Sequence, residues 1–374
     1  MQDLYDRYSK GLRRCVDRVY ADGSDTDLAD RFRANVSRFA AYKADYVKTT
    51  VNNILNDASI PLKQRQEMAD AAVAGFDRYS EAECNTATSR SRTAKQWKEF
   101  NDPQRLRLFP NLRWLPSRSI EKRQSHIQFY DHVWSKGDDF WNHNTPGTEW
   151  NCKCDVEETD DPVTNNGNMD PVQVPAGLEG NPAVTREIFT DGASYIKKGN
   201  KQRVEKFWKP IEEGFKTYCQ YRDDANYENV KMNWNNGGMM ATHKGHNFAK
   251  IGGLYEKQVQ NAGYNNGDHV ILEDERGFDV KHTEGLWNGQ LFEVAGRETA
   301  TVNNILRGLK HCADKKNTEI AILDFPNGGF DKDLMQVAIR RYKGLEKLKD
   351  GQFLKFKKII CVQEERIVYE IDFQ

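Results

Sequence analysis

The stretch from Phe109 to Cys154 constrains this chain more than any other. It reads Phe109-Pro110-Asn111-Leu112-Arg113-Trp114, then Ser117-Arg118 and Arg123-Gln124-Ser125-His126. Asp138-Asp139-Phe140-Trp141 and His143 follow, and it closes on Pro146-Gly147-Thr148-Glu149-Trp150-Asn151-Cys152-Lys153-Cys154. Four of the chain's eight tryptophans lie inside it. Aromatics interleaved with Pro, Gly and Asn cannot build a long regular helix. They can build a compact knot of turns and short strands pinned by buried rings. Trp114, Trp141 and Trp150 are therefore expected as core rings.

The same residues resemble the signature of the phage head morphogenesis family, the Mu protein F-like minor head proteins. That signature runs Leu-Arg-Trp, Ser-Arg, Arg-x-x-His, Asp-Asp-x-Phe-Trp, a Pro-Gly element and Trp-Asn-Cys-Arg-Cys. Lys153 stands here where the family has Arg, and Ser125 where a Pro usually precedes the His. The resemblance covers roughly residues 1–200 and is strong in 109–154. It implies a virion protein inside the capsid near the portal, made in the host cytoplasm, with portal protein, other capsid components and DNA as expected partners.

The Cys152-Lys153-Cys154 pair invites a zinc reading with His126 or His143. Structural zinc pairs usually have two or more intervening residues, so a buried Cys/His cluster without metal is the expectation. Neither a metal nor a cofactor is predicted. Arg123 is expected to pair with Asp138 or Asp139.

At 374 residues the chain has room for two domains. Charged residues make up 30%, and 38% hydrophobic with 11% aromatic suffices for packed cores. A net charge of −1 gives no global field toward nucleic acid or membrane. No apolar run has membrane-spanning length and none reads as a signal peptide. Seven scattered cysteines do not make a secreted disulfide framework.

An α+β architecture is expected: a mainly helical first domain (1–156) with a small β/turn knot, a linker (157–199), then an α+β domain (200–374) with an antiparallel sheet. Phe32, Val36, Phe39, Tyr42, Tyr46, Val47, Val51, Ile54 and Leu55 recur at helical spacing over one long helix. Pro61 opens a second helix over 62–80, and 83–98 reads as another. Residues 86–123 hold ten basic and three acidic residues, read as a solvated face, with contact to DNA or an acidic portal surface as the sharper alternative. Asp160-Asp161-Pro162, Asn165-Asn166-Gly167 and Pro175 lack apolar periodicity, hence the extended connector. A helix over about 200–222 follows, with Pro210 as a kink site.

Beyond 226, a helix over 248–262 ends at Gly263, read as its C-cap. Strands are expected at 269–272, 278–280, 291–294 and 319–325, with Asn288-Gly289 as a hairpin turn. Helices at 300–315 and 331–348 and a final hairpin complete the domain. This order resembles the C-terminal ribonuclease toxin domains of contact-dependent inhibition proteins, in the wider group that holds barnase, EndoU, colicin and RelE ribonucleases. The resemblance rests on Gly277-Phe278-Asp279, Asn288-Gly289, Glu293, Thr299, Thr301 and Ile322-Leu323-Asp324, and it implies an RNA substrate such as tRNA and an immunity protein as partner. Ala295 stands where that family has Lys.

Metal-free RNA cleavage needs a base for the 2′-hydroxyl, an acid for the leaving oxygen and cations for the phosphorane. Glu293 is assigned as base, His243 or His246 as acid, and Lys281 or Arg297 as phosphate clamp. Thr299 and Thr301 add hydroxyls at a helix start, and Asp279 is the second carboxylate. Without the family Lys, a chain that is purely structural, with an inactive second domain, is the alternative.

Overall fold

The computed structural model describes all residues except 121, 165–168, 170–171, 249–252, 275, 277–282, 316, 349–355 and 374. The chain divides into two compact units, Met1–Trp208 and Lys209–Gln374. The class is α+β, as the sequence implies.

Three long helices dominate the first unit: α1 (Gln2–Val19), α2 (Thr26–Asn56) and α3 (Leu62–Phe100). The α1 face is written at positions 5, 8, 12, 15 and 16, all buried. Asp25 caps α2 by accepting from the Leu28 N–H at 3.2 Å. The segments expected as two helices at 62–80 and 83–98 are one, α3, because no Gly or Pro interrupts residues 76–100. Cys15 and Cys84 form a disulfide between α1 and α3, which the scattered cysteines gave no hint of. Lys43 and Glu83 pair at 2.7 Å with both side chains buried.

Next come α4 (Pro103–Leu108), β1 (Asn111–Leu115), α5 (Gln124–Ile127), β2 (Val133–Ser135), α6 (Phe140–His143) and β3 (Asp155–Thr159). The strands form an antiparallel sheet in the order β2-β1-β3. Around it Trp114, Trp134, Trp141, Phe129 and Leu112 make one core with Cys152 and Cys154. Trp114 stacks on Trp141 at 6.1 Å, and Trp134 on Phe140 at 4.0 Å. Trp150 departs from expectation: it is half-buried and stacks on Phe189 at 5.5 Å. Gly147 has φ +96, and a Cβ there would lie 2.8 Å from Arg90 Cγ. A residue without a side chain is what lets the knot close on α3.

The stretch expected as a linker over 157–199 belongs to the first unit. Its first residues complete β3, and α7 (Pro182–Thr185) and α8 (Ser194–Lys198) pack on the helices. Leu178, Ile188, Phe189 and Ala193 are buried. Asn35 donates to the Phe189 carbonyl and accepts from the Ile188 and Phe189 N–H groups. The Arg90 guanidinium, fully buried, donates to the carbonyls of Leu178 at 2.8 Å, Gly180 at 3.1 Å and Glu187 at 3.4 Å. Burial pushes its pKa down to about 10. Polar composition was right about loop structure and silent about what pins it. Helix α9 (Lys201–Arg222) carries the boundary between the units and holds Pro210 inside it.

The second unit contains β4 (Tyr227–Met232), β5 (Met239–His243), α10 (Gly253–Asn266), β6 (His269–Leu272), β7 (Gly285–Trp287), β8 (Gln290–Gly296), α11 (Val302–Ala313), β9 (Ile320–Asp324), α12 (Lys332–Leu348), β10 (Lys358–Gln363) and β11 (Arg366–Asp372). They build one eight-stranded sheet in the order β11-β10-β9-β8-β7-β6-β5-β4. It is mixed, not antiparallel throughout. The β5-α10-β6, β8-α11-β9 and β9-α12-β10 crossovers make parallel pairs. Asn288 and Gly289, at φ +49 and +80, form the expected hairpin turn between β7 and β8. Gly263 does not cap α10. It sits inside the helix against Val270 and Trp287, and Gly267 at φ +100 follows the helix end instead. The strand expected at 278–280 lies outside the described residues.

The faces of this sheet differ. Phe292, Val294, Ile320, Ile322 and Ile360 pack under α10. Ala295, Ala321, Leu323, Ile359 and Cys361 pack on the opposite face under α11 and α12.

Candidate functional sites

Strand alternation decides which predicted catalytic groups can meet. Glu293 shares the parity of Ala295, so it points toward α11. It is fully buried, and its Oε1 takes His311 Nε2 at 3.1 Å and Lys315 Nζ at 3.3 Å. Its Oε2 has no hydrogen-bond partner among the described residues. Ala295 is core.

His246 sits on the other side. Its Nε2 meets Glu256 Oε2 of α10 at 2.9 Å, and its Nδ1 meets the Glu273 carbonyl at 3.0 Å. Both ring nitrogens are engaged, and Glu284 completes a close imidazole–carboxylate group with them. His243 ends β5 on the face that Glu293 uses, by the pairings Ala241 with Ile271, Ile271 with Leu286 and Leu286 with Leu291. Yet β6 and β7 intervene, three strand spacings or roughly 14 Å. Its Nδ1 accepts from the Gly245 N–H at 3.0 Å and lies 3.7 Å from Asp274. The expected pairing of Glu293 with either imidazole is therefore not assembled.

Arg297 is half-buried, and its Nη1 donates to its neighbour's Gly296 carbonyl at 2.9 Å. Burial lowers its pKa. Thr301 caps α11 by accepting from the Asn304 N–H at 3.2 Å, and Thr299 accepts from the Asn304 amide at 2.6 Å. Both hydroxyls are at the helix start, as expected, and both already serve it. Asp279 and Lys281 lie outside the described residues. Sequence reading gave no role to His311, Lys315, Glu256 or Glu284. A Glu facing a helix nine residues downstream shows in sequence only once β8 and α11 are set side by side.

Asp324 ends β9 fully buried, with both carboxylate oxygens lacking partners among the described residues. Burial pushes its pKa up to about 7.

In the first unit the knot gathers His126, Cys152 and Cys154. The His126 Nδ1 lies 3.8 Å from Cys152 Sγ and 3.6 Å from Cys154 Sγ. All three residues are buried. Residues 152 and 154 point the same way because 153 alternates outward, and Lys153 is exposed. The Cys152 thiol is pulled down mainly by the hydrogen bond from Cys154, whose own thiol is pushed up by the same contact and by burial. On the far side of the ring, Glu149 Oε1 faces His126 Nε2 at 3.7 Å. Glu149 is held by Arg123 at 3.0 Å and by the Ser125 hydroxyl at 2.6 Å. Arg123 thus pairs with Glu149 and not with Asp138 or Asp139. Asp138 accepts from the Phe140 N–H and Asp139 from the Asn142 amide. His143 is exposed beside Asp139, away from the cysteines.

Among the described residues no helix is long and apolar enough to cross a membrane. Neither a family model, nor a curated protein, nor a solved structure matches this chain.

Proposed function

We propose that the chain is a phage minor head protein, held inside the capsid near the portal, active in head assembly and leaving with the DNA. The observation that carries this reading is the knot. Several residues that resemble the head-protein signature share a single core: Trp114, Trp141, Cys152 and Cys154 bury together, His126 packs beside them, and Gly147 closes against α3. A motif most of whose apolar members bury in one folded module supports common descent better than scattered matches do. Mass spectrometry of purified virions tests it. The chain should be present in a few copies per particle, and virions lacking it would refute the reading.

For the second unit, a nuclease that cuts RNA is the further part of the proposal, and one observation favours a particular form of it. Glu293 does not stand alone as a base: it orients His311, whose imidazole is half exposed, with Lys315 beside them. A buried carboxylate behind an accessible imidazole suits general acid–base work, with the Lys as the nearby cation. Incubating the full chain with tRNA tests this. Cleavage should be lost in His311→Asn and Glu293→Gln and kept in His243→Asn and His246→Asn. If the folded wild type leaves tRNA intact, the alternative holds: a structural, portal-binding protein with an inactive second unit.

A further inference from the structure

We propose that His126, Cys152 and Cys154 bind one thiophilic divalent cation, zinc by ligand type, in a tetrahedral site whose fourth position opens to the adjacent cavity. The inference stands apart from the head-protein reading.

Geometry carries it. With zinc–sulfur bonds of about 2.3 Å and a zinc–nitrogen bond of about 2.0–2.1 Å, a tetrahedral ion sets its sulfur and nitrogen ligands about 3.6 Å apart. The two sulfur-to-Nδ1 distances are 3.6 and 3.8 Å, and the three ligand atoms lie within 4.8 Å of one another. As hydrogen bonds these contacts make a poor set. One ring nitrogen converges on two sulfurs at 3.6 and 3.8 Å and can bond well to only one of them. As ligands they form one triangular face of a tetrahedron.

The ring is also prepared for the task. A carboxylate opposite Nε2 favours the tautomer with its proton there, which turns the Nδ1 lone pair toward the sulfurs. Arg123 and Ser125 hold the Glu149 carboxylate on that side of the ring, 3.7 Å from Nε2 and so by charge rather than by a hydrogen bond, where a metal-bound histidine usually has its outer-shell partner. Two thiolates neutralise a divalent charge, so the loaded site is neutral within the knot. Soft sulfur with imidazole selects zinc over magnesium or calcium.

No fourth His, Cys or carboxylate joins the group among the described residues. A cavity of about 310 Å³ instead borders both cysteines, lined by Ser117, Ser119, Lys122 and Arg123. That side leaves the fourth position open to solvent. The site ties α5 to the start of β3, so the ion clamps the ends of the knot. One residue between the cysteines is unusual for zinc, but 152 and 154 are both buried with 153 turned outward, which puts both sulfurs on one side.

The test uses the full chain, purified under reducing conditions. Elemental analysis should find about one zinc per chain. Replacement by cobalt should give the charge-transfer absorption of a thiolate–cobalt bond and the visible bands of tetrahedral cobalt. Cys152→Ser, Cys154→Ser and His126→Asn should each lose the metal at least tenfold, while Cys219→Ser in the second unit keeps it. His126→Cys separates ligation from folding: it should retain the ion and strengthen the charge-transfer band. Folded wild-type protein with both cysteines alkylatable, no zinc after dialysis against it and no cobalt–thiolate band would overturn the proposal. So would undiminished metal in the folded Ser and Asn variants.

Discussion

Replacing Arg90 with Met should unpin residues 178–187 from α3. The guanidinium reaches the carbonyls of Leu178 and Gly180 at 2.8 and 3.1 Å and those of Glu187 and Glu179 at 3.4 and 3.5 Å. Met fills much of the same volume but donates nothing. The two closest carbonyls would then be left with no donor, at about 1–3 kcal/mol each. Losing the longer contacts adds less, and the Met side chain returns some packing, so a net loss of about 3–5 kcal/mol is expected. For a unit of this size that is a fall of roughly 6–20 °C in melting temperature. Arg90→Lys keeps the charge and loses the fork, because a single nitrogen cannot reach carbonyls that are split between the two guanidinium Nη atoms. It should fall nearly as far. Arg186 is exposed within this segment and ion-paired to Asp27, so trypsin offers a local readout. Cleavage after Arg186 should accelerate in both variants before the long helices are cut. If Arg90→Met melts within about 2 °C of the wild type and its tryptic map is unchanged, the guanidinium is not what holds this segment.

Three other outcomes follow from the same contacts. Trp141→Ala removes a ring packed on Trp114, Trp134, Phe140 and Trp97 and the indole N–H that donates to the Ser135 carbonyl at 2.9 Å; denaturant titration should show a loss of about 3–5 kcal/mol, and wild-type stability would refute the placement. Lys43→Met leaves Glu83 buried without its partner and should destabilise by about 3–5 kcal/mol, whereas Lys43→Met with Glu83→Leu should recover most of that, a comparison made by thermal melts of the single and double variants. Asp324 has a folded pKa raised from 3.8 to about 7 by burial, so the folded state favours the protonated acid. Its penalty is absent below about pH 4, grows as pH rises to about 7 and is full above that, on the order of 4 kcal/mol. Asp324→Asn should therefore raise the urea midpoint at about pH 8 and leave it little changed at about pH 4; equal shifts at both would contradict the assignment.

What could be read in the sequence was local. The α2 face and the Asn288-Gly289 turn were legible because period and φ preference are properties of neighbouring residues. The rings of the knot were legible because turn-rich chain must borrow its core from aromatics. The connector was misread because a pinned loop and a free one have the same composition, and Arg90, which pins it, lies about ninety residues away. Strands β4 and β5 were missed: Asn, Met and Tyr at 226–240 alternate weakly, and the sheet that buries them is built from later chain. The spatial arrangement of the candidate catalytic set was not legible for a related reason. Types of side chain are visible in a sequence, but whether Glu293 and His246 lie on one face depends on strand parity and on which helix covers which face.

The disulfide between Cys15 and Cys84 makes a closed ring of the covalent chain, spanning 69 residues of separation and enclosing the whole of α2. Closing a ring of that size restricts the unfolded chain by about 4 kcal/mol in the loop-entropy account. A second effect needs no energy estimate. Ser59, Ile60 and Pro61 turn the chain between α2 and α3 within the ring, and Ser59 and Pro61 are exposed. A protease that cuts there severs the backbone but not the molecule, since the two pieces remain joined through sulfur. Damage at that corner is silent until a reductant arrives, and only then do the fragments separate.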